Sequence, residues 1–86
     1  MTEKPKSIYA VAVGENLAEV RTFAKLTQTQ AASLLNTTQA TVSRWESGDR
    51  TPSVQQLYSI GSAYGVSASS LIPEIPTEGE GNGTAL

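Results

Sequence analysis

An 86-residue chain with neither cysteine nor histidine excludes disulfide staples, Cys/His zinc sites, cysteine nucleophiles and histidine general bases. Its 38% hydrophobic content suits one small helical core, and no apolar run approaches the ~20 residues of a membrane span. The net charge of −2 is unevenly spread: Glu3, Lys4 and Lys6 give residues 1–7 a charge of +1, Arg21, Lys25, Arg44 and Arg50 offset Glu15, Glu19, Glu46 and Asp49 over residues 8–72, and Glu74, Glu78 and Glu80 leave −3 beyond.

In chain order, residues 1–7 read as a polar, mobile arm. Two lysines ahead of a short apolar run have the outline of a secretory leader, but Glu3, Glu15 and the helix that follows argue against one. A cytoplasmic location is expected. The first helix is placed from Ile8 to Ala24, with Leu17, Val20 and Ala24 at three-to-four spacing. Its start is ambiguous, because S-I-Y-A-V-A-V also satisfies a short strand and Gly14 weakens a continuous helix. Thr27 opens a second helix, with Gln30 three residues on completing a capping box.

Asn36 marks the turn that follows, since Asn is among the few non-glycine residues that tolerate a left-handed backbone. The third helix spans Gln39 to Ser47, with Thr38 as N-cap and Gly48 as C-cap. Ser53 and Gln56 form another capping-box pair, opening a helix through Leu57, Ile60, Ala63 and Tyr64 that stops at Gly65. A short fifth helix, S-A-S-S-L-I, is ended by Pro73. Residues 73–86, rich in Pro, Gly and Glu, are expected to be a disordered acidic tail. The fold class is therefore all-α: a compact five-helix domain over residues 8–72, with no internal repeat.

Residues 27–48, T-Q-T-Q-A-A-S-L-L-N-T-T-Q-A-T-V-S-R-W-E-S-G, carry the functional information. Ala31 and Ala32 are small enough for two helices to approach closely. Val42 and Trp45, three apart, turn one stripe of the third helix toward the core. Gln39, Ala40, Ser43 and Arg44 are then left outside, the layout of a DNA-reading helix. Gln39, in the first turn, can pair in two bonds with adenine N6 and N7, and Arg44 can fork onto guanine O6 and N7 or clamp a phosphate. Ala40, Thr41 and Ser43 have short side chains suited to thymine methyls or phosphates. Arg50, in the D-R-T-P loop, is a phosphate anchor. Each of these polar residues also has a plain alternative, a solvated surface side chain.

This segment resembles the helix-turn-helix of the lambda-repressor/Cro-like (XRE-type) transcriptional regulators. The likeness runs from Gly14 to Pro73: an Arg in the first helix, T-Q opening the second, R-W-E-S-G closing the third, then a Pro and an amphipathic fourth helix. Asn36 departs from the glycine usual there, and Ala40 stands where a longer base-contacting side chain is common. The resemblance implies a helix-turn-helix over residues 28–47. It implies phosphate contacts from Gln28 and Thr38, and a structural pairing of Arg21 with Glu46 that holds the third helix in place.

The resulting expectation is a sequence-specific double-stranded DNA-binding regulator, a homodimeric repressor reading an inverted repeat. Tyr58 and Ile72 are candidate dimer contacts. A competing reading is an antitoxin-like interaction module that meets a protein partner through its tail or N-terminal arm. Enzymatic activity, cofactors and metals are not expected, because no nucleophile–base set or phosphate-cradling glycine motif is present.

Overall fold

Four serine or threonine hydroxyls set where the helices of this chain begin. In the computed structural model, which describes residues 6–74, Ser7 accepts from the amides of Tyr9 and Ala10 and starts α1, Ile8–Phe23. Thr27 and Ser53 each form a reciprocal capping box, with Gln30 and Gln56, at the heads of α2 (Gln28–Leu34) and α4 (Val54–Tyr64). Thr38 accepts from the Thr41 amide and starts α3, Gln39–Ser47. Each hydroxyl satisfies an amide that has no partner within its helix.

Over the described residues the chain is helical, with no strand. The strand alternative for S-I-Y-A-V-A-V fails because Ser7 caps a helix there, and α1 runs unbroken through Gly14. The fifth helix is a single 3-10 turn, Ala68–Leu71, without a side-chain cap. Four α-helices and one such turn replace the five helices expected. A four-residue serine-rich segment followed by Pro73 has too few internal bonds to close an α-turn. Residues 1–5 of the expected arm and residues 75–86 of the expected tail lie outside the described residues.

The turns use left-handed backbone where helices reverse. Gly48 (φ 85°) ends α3 and Gly65 (φ 79°) ends α4. Asn36 (φ 56°) makes the turn between α2 and α3, as its residue type suggests, and Lys25 (φ 63°) makes the turn between α1 and α2.

Leu17, Ala31, Ala32, Val42, Trp45, Leu57, Ile60, Tyr64 and Leu71 form one core. Ala31 and Ala32 are fully enclosed, and Val42 and Trp45 form the inward stripe of α3. The close crossing of α1 and α3 explains Gly14. A Cβ at that position would lie 2.5 Å from the Trp45 carbonyl oxygen and 2.6 Å from that of Glu46. Only a bare Cα lets the two backbones meet there, so the weakness Gly14 brings to an isolated helix is accepted for contact between helices.

Candidate nucleic-acid interface

The third helix is held by a chain of polar side chains that crosses three elements. Arg21, on α1, donates from Nε to Glu46 Oε2 at 2.6 Å and from Nη2 to Oε1 at 3.0 Å. Its Nη1 donates to the Leu26 carbonyl at 2.6 Å, tying the same guanidinium to the α1–α2 turn. Gln28, the first residue of α2, donates to Glu46 Oε1 at 2.9 Å. Gln39, the first residue of α3, donates in turn to Gln28 Oε1 at 2.7 Å. The series Arg21–Glu46–Gln28–Gln39 thus runs from the interior to the exposed head of α3.

The inner end of this series is nearly dry: the Arg21 and Glu46 side chains are 15% and 8% exposed. The Glu46 hydrogen bond raises the Arg21 pKa above its ordinary value, outweighing partial desolvation. Tyr64 lies beside the pair. Burial first, and then the Glu46 charge, push its hydroxyl up to about 12 against the opposing pull of Arg21.

At the outer end, Gln39, Ala40 and Arg44 are exposed, while Thr41 and Ser43 are half-buried. Thr38 and Thr41 engage each other, Oγ1 to Oγ1 at 3.0 Å, beside the head of α3. Arg44 and Arg50 are exposed and form no side-chain ion pair among the described residues. The acidic groups nearby are otherwise engaged: Glu46 by Arg21, and Asp49 by Lys6 at 3.2 Å. The head of α3 therefore presents Gln39 and Ala40, and the exposed Arg44 and Arg50 follow toward and beyond its C-terminal end. Gln28 is half-buried and already committed on both sides.

The family resemblance implied the Arg21–Glu46 pair, which the structure contains, whereas the bonds of Gln28 to Glu46 and of Gln39 to Gln28 were not expected. Gln28 and Gln39 each open a helix, and that shared position was the available signal for a link. Tyr58 is 68% exposed and lines an open groove of about 450 Å³ with Leu34, Ser59, Ser62 and Ala63. Ile72, 54% exposed, does not line that groove. Among the described residues no His, Cys, Asp or Glu cluster could hold a metal. No helix there is long and apolar enough to cross a membrane.

The helix-turn-helix family profile matches residues 17–71, from the middle of α1 to the 3-10 turn. The chain belongs to the XRE-type helix-turn-helix family. Solved structures share its fold. This helix-turn-helix chain is similar to the clp gene regulator ClgR of C. glutamicum, at 26% identity and TM-score 0.71 over 80% of this chain and 90% of that one. It is similar to the restriction-modification controller protein C.AhdI of Aeromonas hydrophila, at 27% identity and TM-score 0.70 over 73% and 91%. It is also similar to the hydroxypropylphosphonic acid epoxidase of S. wedmorenis, at 30% identity and TM-score 0.75 over 81% of this chain. There the chain spans 37% of the epoxidase's length. No curated protein matches by sequence.

Proposed function

We propose that this chain is a sequence-specific, double-stranded DNA-binding transcription regulator that works as a homodimeric repressor. The observation that carries the reading is the buttressed head of α3. Gln39 is oriented by Gln28, which is held by the Arg21–Glu46 pair. A side chain whose geometry is set before binding loses little entropy on pairing with a base, so its amide can discriminate adenine. In this reading Gln39, Ala40, Ser43 and Arg44 face base edges, Thr38, Thr41 and Arg50 face phosphates, and Gln28, committed to Glu46 and Gln39, positions Gln39 in place of the phosphate contact implied by the resemblance. The family membership and the likeness to two regulators, matched over 90% and 91% of their chains, support it.

Dimerisation follows from charge. Five cations and five anions balance over residues 6–74: Lys6, Arg21, Lys25, Arg44 and Arg50 against Glu15, Glu19, Glu46, Asp49 and Glu74. One copy neutralises few phosphates, and affinity at physiological salt depends on that number. Two copies with recognition helices about 34 Å apart would read successive major grooves of an inverted repeat. Tyr58 and Ile72 are the proposed apolar contacts between copies, and repression follows from occluding polymerase.

The test is selection from a random duplex library at near-physiological salt. Enrichment of an inverted repeat with half-sites one turn apart supports the regulator; recovery of a single half-site or of no sequence contradicts it.

The likeness to part of an epoxidase favours a second reading, a helical module that docks against protein rather than DNA. That reading predicts no duplex enrichment and stable co-purification with a protein partner. The antitoxin-like arrangement is a form of it.

A further inference from the structure

Lys6 lies before α1 in sequence, yet its ammonium group reaches the far end of the reading helix. It donates to the carbonyl of Ser47, the last residue of α3, at 3.0 Å and pairs with Asp49 Oδ1 at 3.2 Å. Its backbone is fixed by the Ser7 cap of α1. The end of α3 lies against α1, where a Cβ added at Gly48 would lie 2.9 Å from Val11 Cγ2. A cation at this place also complements the negative end of the α3 dipole.

Asp49 is badly placed for a surface meant to meet phosphates. Its amide and that of Arg50 both donate to the Arg44 carbonyl, at 3.0 and 3.2 Å, so the acid is rooted next to Arg50 at the end of α3. Its carboxylate is held in the charged form by the Ser47 hydroxyl, at 3.0 Å from Oδ2, and by Lys6. After Ser47 and Lys6, the charge of Arg44 also helps hold the Asp49 carboxylate ionised, so a phosphate drawn to that arginine also feels Asp49.

Resting on the DNA-binding reading above, we infer that Lys6 is a positioning residue for that surface: by pairing with Asp49 it masks the exposed acid next to Arg50 at the end of α3, and it acts through Asp49 without touching DNA.

The experiment is a four-protein cycle: the native chain, Lys6→Gln, Asp49→Asn and the double variant. Each is titrated into a fluorescein-labelled random-sequence duplex at several salt concentrations, with thermal melting as the folding control. Lys6→Gln should weaken binding about threefold to tenfold in the native background and less than about twofold beside Asp49→Asn. In the Asp49→Asn background, the salt dependence should be the same with and without Lys6. Melting should shift little in all four, since the pair is exposed. Equal losses in both backgrounds, with the salt slope falling by about 0.9, would mean that Lys6 contacts a phosphate itself and would overturn the inference. A native chain that binds no duplex would overturn the DNA-binding reading and this role together, whereas binding without coupling overturns this role alone.

Discussion

Removing the Glu46 carboxylate should destabilise the fold more than any exposed substitution on α3. In Glu46→Ala the Arg21 guanidinium loses two charge-assisted hydrogen bonds, at 2.6 and 3.0 Å, and keeps only the Leu26 carbonyl. Gln28 loses its acceptor at 2.9 Å as well. Breaking a fully buried ion pair from one side costs about 3–5 kcal/mol. Arg21 remains 15% exposed and keeps one partner, so about 2–3 kcal/mol is expected here. For a domain of this size each kcal/mol moves the midpoint by about 4–8 °C, so the melting temperature should fall by about 10–20 °C. Circular dichroism melts of native, Glu46→Ala and Glu46→Gln chains measure this, with Glu46→Gln between the other two. Replacing Arg21 and Glu46 together by leucine should recover part of the loss, because no charge is then left unpaired. A Glu46→Ala midpoint within about 3 °C of native would refute the view that this pair anchors α3.

Gly14→Ala should lower stability by about 1–2 kcal/mol in thermal melts, although helix propensity alone forecasts a gain of about 1 kcal/mol; the new Cβ meets the Trp45 carbonyl at 2.5 Å. Lys25→Gly should raise stability by up to about 1 kcal/mol in urea titrations, since it removes a left-handed lysine; a clear loss would count against that strain. Tyr64 holds its phenolic proton more tightly folded than unfolded, with a folded value of about 12 against an ordinary value of 10.0. Its stabilisation is therefore complete below about pH 10 and lost as pH rises toward about 12, so Tyr64→Phe should flatten the alkaline fall in melting temperature.

Local chemistry made most of the fold readable. Thr27 with Gln30, Ser53 with Gln56, Thr38, Gly48 and Gly65 are short-range signals, and each helix end falls where its cap residue stands. Val42 and Trp45 were legible because a three-residue spacing on a short helix leaves one face to bury. The Arg21–Glu46 pair came from family likeness, as nothing local connects residues 25 positions apart.

What stayed hidden depends on packing between elements. Gly14 looks like a weak helix position until the α3 carbonyls beside it are seen. Lys25 gives no sign of left-handed backbone, because lysine has no side-chain bond that favours it; the docking of α2 imposes the turn. The 3-10 turn at Ala68–Leu71 differs from an α-helix only in hydrogen-bond register, which four residues do not encode. Among the candidate interface residues, the types and exposed positions of Gln39 and Arg44 were readable. The bond from Gln39 to Gln28 and the bond from Lys6 to Asp49 were not, because both join separate segments.

The most direct test of base reading by α3 is to titrate native, Gln39→Ala and Gln28→Ala proteins against the selected duplex and its single-base variants. The account predicts that Gln39→Ala abolishes preference at one adenine while binding to other sequences persists, and that Gln28→Ala weakens the same preference by freeing Gln39. Unchanged preference in Gln39→Ala would contradict it.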